Sequence, residues 1–145
     1  MTNWLLDTNV LSELRRERPE QKVADFVSAQ PARSLYISMV TISEIQFGIE
    51  VSFDAAQQKV LKVWLESIMR PAFDGRIFPI SEEIMLRWRM LVQAARKARH
   101  TFTQPDLFLA ATALHHGLTL VTRDTGDFRL TNVAIHNPWT DPLPA

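Results

Sequence analysis

Trp4-Leu5-Leu6-Asp7-Thr8-Asn9-Val10-Leu11 places three apolar residues, an aspartate and the start of a helical pattern in immediate succession. An apolar run this short cannot span a membrane or serve as the core of a signal peptide, and Asp7 closes it. It suits a short strand covered on both faces. The same alternation recurs outward from this stretch. Leu35 to Ile37, Ile77 to Ile80, Leu118 to Val121 and Val133 to Ile135 read as further short strands. Between them lie helical stripes. Val60, Leu61, Trp64, Leu65 and Ile68 share one face, as do Ile84, Met85, Trp88, Leu91, Val92 and Ala95. Pro105 to His115 presents Leu107, Ala110, Ala111 and Leu114, while Met39 to Glu50, Val10 to Arg15 and Gln21 to Ala29 complete the helices. Short strands separated by helices predict an α/β fold, with a central parallel sheet of about five strands and right-handed crossovers. Helices on both faces make it a three-layer α/β/α domain. The 145 residues fit a single domain, 1–145. In such sheets ligands bind beyond the carboxyl ends of the strands, which is where chemistry is expected.

Composition narrows the function. Hydrophobic residues make up 46% and charged residues 22%, enough apolar material for a real core. The absence of cysteine excludes disulfides, thiolate metal sites and a cysteine nucleophile. No targeting or membrane segment is evident, so a cytoplasmic protein is expected. Basic and acidic residues number 16 each, for a net charge of zero. Nucleic acid must therefore be held by local patches or a bound cation rather than by bulk charge. Arg87, Arg89, Arg96, Lys97 and Arg99 fall close together, as either a solvated helix face or such a patch.

Four acids sit where the fold concentrates chemistry. Asp7 follows the first strand, Glu44 comes soon after the second, and Asp124 follows the fourth. Asp106 opens the alanine-rich helix. Each has a local use. Thr41-x-x-Glu44 and Thr103-x-x-Asp106 match capping boxes, Asp7 can cap the next helix, and Asp124 suits a turn. Together, with Arg123 the one basic residue in their segments, they would repel one another without a cation or raised pKa values. Hard oxygen donors without cysteine or paired histidines favour Mg²⁺ or Mn²⁺ over zinc. Such an ion suits phosphate-ester chemistry.

At these residues the chain resembles the PIN-domain family, and within it the VapC/FitB branch of bacterial toxin ribonucleases. The motifs that carry the resemblance are Leu5-Leu6-Asp7-Thr8-Asn9-Val10-Leu11-Ser12-Glu13, Ser38-Met39-Val40-Thr41-Ile42-Ser43-Glu44, Asp106-Leu107-Phe108-Leu109-Ala110-Ala111-Thr112-Ala113 and Leu120-Val121-Thr122-Arg123-Asp124-Thr125-Gly126-Asp127-Phe128, with Ile135-His136-Asn137-Pro138-Trp139 closing the set. The resemblance implies a metal-dependent endoribonuclease that hydrolyses phosphodiester bonds in single-stranded or looped RNA. It also implies the toxin half of a type II toxin–antitoxin pair. Asp7, Glu44, Asp106 and Asp124 then match the acidic quartet. Asp7 and Asp106 match the most direct Mg²⁺ or Mn²⁺ ligands of the family, with Glu44 and Asp124 as further candidates. Thr8, Thr122 and Asp127 match supporting positions. Expected partners are a small cognate antitoxin, RNA, and a second toxin copy in a homodimer or a toxin–antitoxin hetero-oligomer, with no membrane. Gln104-Pro105 and the bulky Phe108 depart from the family pattern, though proline is tolerated in a first helical turn.

The competing readings lack their residues. A catalytically silent PIN-like binding module would have little reason to keep four unpaired acids. An aspartyl-nucleophile phosphatase needs an aspartate where Asn9 stands, a receiver domain needs an acidic pair and a late lysine, and a serine hydrolase needs its G-x-S-x-G elbow. The four histidines have no metal-ligand spacing with the acids, and His115 and His116 end a helix before Gly117. Trp64 and Trp88 fall on apolar stripes and read as core, whereas the tail residue Trp139 has no assigned place. The two long apolar stripes carry more large side chains than a small sheet can cover, which favours association.

Overall fold

The computed structural model describes residues 1–145. Five strands, β1 (Trp4–Leu6), β2 (Leu35–Ser38), β3 (Ile77–Phe78), β4 (Thr119–Val121) and β5 (Ile135–His136), form one parallel sheet in the order β3-β2-β1-β4-β5. The expected parallel sheet and its five strands are present. Ends differ by a residue or two: β3 stops at Phe78 because Pro79 has no N–H to extend the ladder. Seven helices flank the sheet: α1 (Thr8–Arg15), α2 (Gln21–Ala29), α3 (Met39–Glu50), α4 (Ala55–Trp64), α5 (Arg70–Ala72), α6 (Glu82–Lys97) and α7 (Gln104–His116). A π-helical turn, Leu65–Met69, joins α4 to α5.

Side chains alternate across the strands and so build two cores. Trp4, Leu6, Leu35, Ile37 and Val121 pack with Val10, Leu11, Val23, Phe26, Ile42, Ile49, Leu65 and Met69 from the α1–α5 side. Leu5 and Leu120 point the other way, onto Leu109, Ala110 and Ala113 of α7 and onto Phe128 and Val133. Leu5 and Leu6 are both wholly buried, which explains why β1 reads as an unbroken apolar run. Each such leucine contributes about 1.5–3 kcal/mol of burial free energy.

Helix starts follow local side-chain chemistry. Ser38 ends β2 and caps α3 by accepting from Val40 N, so strand and helix meet without a loop. Ser81 caps α6 through Ile84 N, and Thr103 caps α7 through Asp106 N. Gly117 closes α7 at φ 65°, a left-handed conformation that glycine adopts without Cβ strain. The capping box that Thr41 and Glu44 match as an alternative local use is not formed, because α3 starts at Met39, as expected, and Ser38 takes the cap. Thr41 is instead buried with an unpartnered hydroxyl, and Glu44 is exposed and free of capping duty.

The apolar stripes are only partly consumed. Leu65, Ile84 and Ala95 are buried, while Val60, Ile68 and Met85 remain exposed, and outside the stripes Val63, Leu86 and Met90 are exposed too. Phe47 and Phe53 are exposed as well. Trp64 and Trp88 are half-buried rather than fully in the core. Trp88 donates to Gln104 Oε1 at 2.9 Å and stacks on Phe108 at 4.7 Å, so the two departures at the start of α7 fasten it to α6. No helix is long and apolar enough to cross a membrane.

Candidate active site

Strand order reverses at β1, whose neighbours are β2 on one side and β4 on the other, so a crevice opens beyond the carboxyl ends of β1 and β4. Register fixes what meets there. Leu6 pairs with Val121, which sets Asp7 beside Thr122, one residue past each strand. Asp7 N donates to Val121 O at 3.0 Å, and Thr122 N donates to the carbonyl of His136 at 3.1 Å. The two side chains close the arrangement, with the Thr122 hydroxyl donating to Asp7 Oδ2 at 2.8 Å.

That hydroxyl is a hub. It also accepts from Asn9 Nδ2 at 3.2 Å and from Asp124 N at 3.1 Å. Asn9 Nδ2 reaches Asp124 Oδ2 at 3.3 Å and Asp7 Oδ2 at 3.5 Å, so one amide links two of the acids. Asp7 Oδ1 accepts from Thr8 N at 2.6 Å, which makes Asp7 both the N-cap of α1 and a lining residue of the crevice. Thr8 thus supports Asp7 through its backbone.

The crevice has a volume of ≈ 570 Å³ and is lined by Asp7, Glu44, Asp106 and Asp124 together with Asn9, Thr41, Glu13, Arg16, Arg123 and Trp139. All four expected acids therefore face one space. Thr122 lies behind it, wholly buried. Asp127 is exposed on the following 3-10 turn (Thr125–Thr131), outside the lining but near enough for its charge to act on Asp106. Four contributors are not among the expected site residues. Asn9 lies within the motif from Leu5 to Glu13 but has no role of its own there. The partners Glu13 and Arg16, 3.3 Å apart, look like an ordinary helical pair. Trp139 comes from the tail, because β5 runs beside β4 and returns the chain to this edge.

Electrostatics match the geometry. Burial, the largest cause, pushes the Asp7 carboxyl up to about 6, with Asp106 and Asp124 adding repulsion and the Thr122 and Thr8 hydrogen bonds opposing it. Asp106 is also raised, first by burial and then by Asp127, Asp124 and Glu44, while the Thr103 hydrogen bond works against the rise. None of the four forms an ion pair with lysine, arginine or histidine. Two buried oxygens beside them lack partners, Asn9 Oδ1 and Thr41 Oγ1. Oxygen donors, uncompensated negative charge and orphaned acceptors together fit a hard divalent cation. No three acidic or imidazole side chains close tightly enough to hold an ion alone.

A family model described as PIN domain matches residues 4–134. The chain is 35% identical to Toxin FitB of Neisseria gonorrhoeae, over 94% of this chain and 99% of that one. It is 33% identical to the VapC ribonuclease Y4jK of Sinorhizobium fredii, over 93% of this chain and 96% of that one. Among solved structures, FitAcB from Neisseria gonorrhoeae superposes with a TM-score of 0.87 at 34% identity, covering 94% of this chain and 99% of that one.

Proposed function

This chain belongs to the PIN-domain family, and from that premise we propose that it is a Mg²⁺- or Mn²⁺-dependent endoribonuclease acting as the toxin of a type II toxin–antitoxin pair. The observation that carries the reading is the gathering of Asp7, Glu44, Asp106 and Asp124 around one crevice without an ion-pair partner. Relatives named a toxin and a ribonuclease supply the substrate class and the biological setting.

Asp7 and Asp106 are the residues that would hold the cation, with Glu44 and Asp124 facing the same space. When bound, the ion neutralises charge on the phosphodiester and lowers the pKa of water. The chain's own task is orientation. Thr122 and Asn9 fix Asp7 and Asp124 relative to each other through a shared set of hydrogen bonds. Thr103 fixes the first turn of α7, and so the base of Asp106. The raised Asp7 carboxyl holds a proton over part of the weakly acidic range and must release it before it can act as a ligand. Asp127 increases the negative potential at Asp106 without lining the crevice.

The exposed apolar side chains on α3 to α5 and on α6 supply surface for a small antitoxin and for a second copy of the chain. Purified chain incubated with structured and single-stranded RNA should cleave it in Mg²⁺ or Mn²⁺ and stop in EDTA. Asp7→Asn and Asp106→Asn should each remain folded and lose cleavage. Full cleavage in EDTA, or by either variant, would overturn the reading.

A further inference from the structure

We propose that Trp139 and Arg123 form a stacking wall of the acidic crevice that grips one unpaired nucleobase beside the phosphate to be cut. The inference rests on the ribonuclease reading and assigns a recognition role to residues outside the acidic quartet. Trp139 lines the same space as Asp7, Asp106 and Asp124, and the Arg123 guanidinium lies over its ring, 5.2 Å from the centroid. The indole is half-buried: it packs against the core yet keeps accessible surface toward the crevice. Trp4 and Trp88 each donate the indole N–H to a glutamine, whereas Trp139 has no such acceptor within the chain.

A tail beyond the last strand is ordinarily loose. Here it is fastened. Trp139 N donates to Asn137 Oδ1 at 2.9 Å, Asn137 N donates to Asp141 Oδ2 at 2.8 Å, and Asp141 N donates to Asn137 O at 2.8 Å. Buried His136 approaches the same Asp141 carboxylate at 3.8 Å. The ring is thereby held in place before any ligand arrives, which lowers the ordering cost of binding.

Charge gives the pair its second function. A crevice lined by unpaired acids repels a phosphate backbone at its mouth. Of the two arginines that line it, Arg16 is paired with Glu13, while Arg123 is exposed and forms no ion pair. Arg123 is therefore free to meet a phosphate while its guanidinium carbon stays over the indole, 5.2 Å from the ring centroid. Aromatic rings and guanidinium planes are the surfaces on which unstacked bases settle, with little dependence on base identity.

The test uses the full chain carrying Asp106→Asn, so that RNA is bound and not cut, in Mg²⁺. A labelled single-stranded RNA oligomer and a set carrying one abasic nucleotide at successive positions are titrated by anisotropy. Adding Trp139→Ala should weaken binding of the intact oligomer about tenfold or more, and Trp139→Phe should largely restore it. Arg123→Gln should weaken binding and reduce the salt slope by about one. One abasic position should reproduce the loss in the parent and cause no further loss with Trp139→Ala, a coupling that a merely structural tail would not produce. Equal binding by Trp139→Ala, or equal loss for intact and abasic oligomers, would overturn the wall and leave the ribonuclease reading standing. Loss of antitoxin binding with unchanged RNA binding would overturn it too. A parent chain that binds no RNA would remove both readings.

Discussion

Replacing Asp7 by asparagine should make the metal-free protein more stable at neutral pH. Asp7 is buried, and its carboxyl is pushed from 3.8 to about 6, chiefly by burial. A folded-state pKa above the unfolded one means that the native state binds the extra proton. The group is then least unfavourable below about pH 4, and stability is lost as pH rises through about 6. At about 1.4 kcal/mol per pH unit, ionised Asp7 costs about 3 kcal/mol once pH exceeds 7. Asparagine removes that cost but puts an amide group where Thr122 and Asn9 both donate to Oδ2, a mismatch of about 1 kcal/mol. The net gain is about 2 kcal/mol, or about 6 °C in melting temperature for a domain of this size. Thermal melts of both proteins in EDTA at pH 7.5 and pH 5 measure it. The gain should shrink below about 1 kcal/mol at pH 5, where native Asp7 is mostly protonated. An unstable Asp7→Asn at pH 7.5, or a difference independent of pH, would refute the claim that burial and repulsion dominate this carboxyl.

The same site yields three further expectations. Saturating Mn²⁺ should raise the melting temperature of the wild-type chain, by about 2.7 kcal/mol of stability at a hundredfold excess over Kd, with the gain fading toward pH 5 and absent in Asp7→Asn; calorimetry reads this directly. Thr122→Val removes the hub hydroxyl, so cleavage should fall about 10- to 100-fold and metal should bind more weakly, measured by initial rates against Mn²⁺ concentration. Expression of the wild-type chain alone should arrest growth, with rescue by the small reading frame encoded beside it and no arrest by Asp106→Asn; growth curves with harmless wild-type expression would defeat the toxin role.

What could be read in advance followed from contacts local in sequence. Trp4-Leu5-Leu6 announces a doubly covered strand because both neighbouring layers demand apolar partners at consecutive positions. Thr103 caps α7 as its spacing to Asp106 suggests, and Gly117 ends that helix as the histidines before it imply. The capping-box spacing at Thr41 and Glu44, which the structure does not use, shows the limit of such patterns. Ser38 offered an equivalent oxygen three residues earlier, and the pairing of β2 with β1 and β3 decided where the strand stopped. Asn9 was legible as a residue but not as a link, since its partners Thr122 and Asp124 lie more than a hundred positions away. Trp139 is named in the tail motif but could not be placed for the same reason, as its location depends on β5 pairing with β4. The exposure of Val60 and Ile68 fits the expected surplus of large side chains on that stripe, although periodicity shows only which residues share a face and not which of them the sheet covers.

The pairing of β1 with β4 also imposes an order on the birth of the site during synthesis. Asp7 leaves the ribosome among the first residues, but its companions Thr122 and Asp124 arrive after α7, and Trp139 later still. Until then β1 lacks its neighbour on that side and Asp7 stands without the hydroxyl that orients it. At about 5–20 residues per second, several seconds separate the two events. If the chain cleaves RNA as proposed, it would therefore pass most of its synthesis unarmed, and chains interrupted before Thr119 would never acquire the β4 edge of the crevice. On the proposed ribonuclease reading, the parallel topology would withhold the completed crevice until the last fifth of the polypeptide, from Thr119 on, had been made.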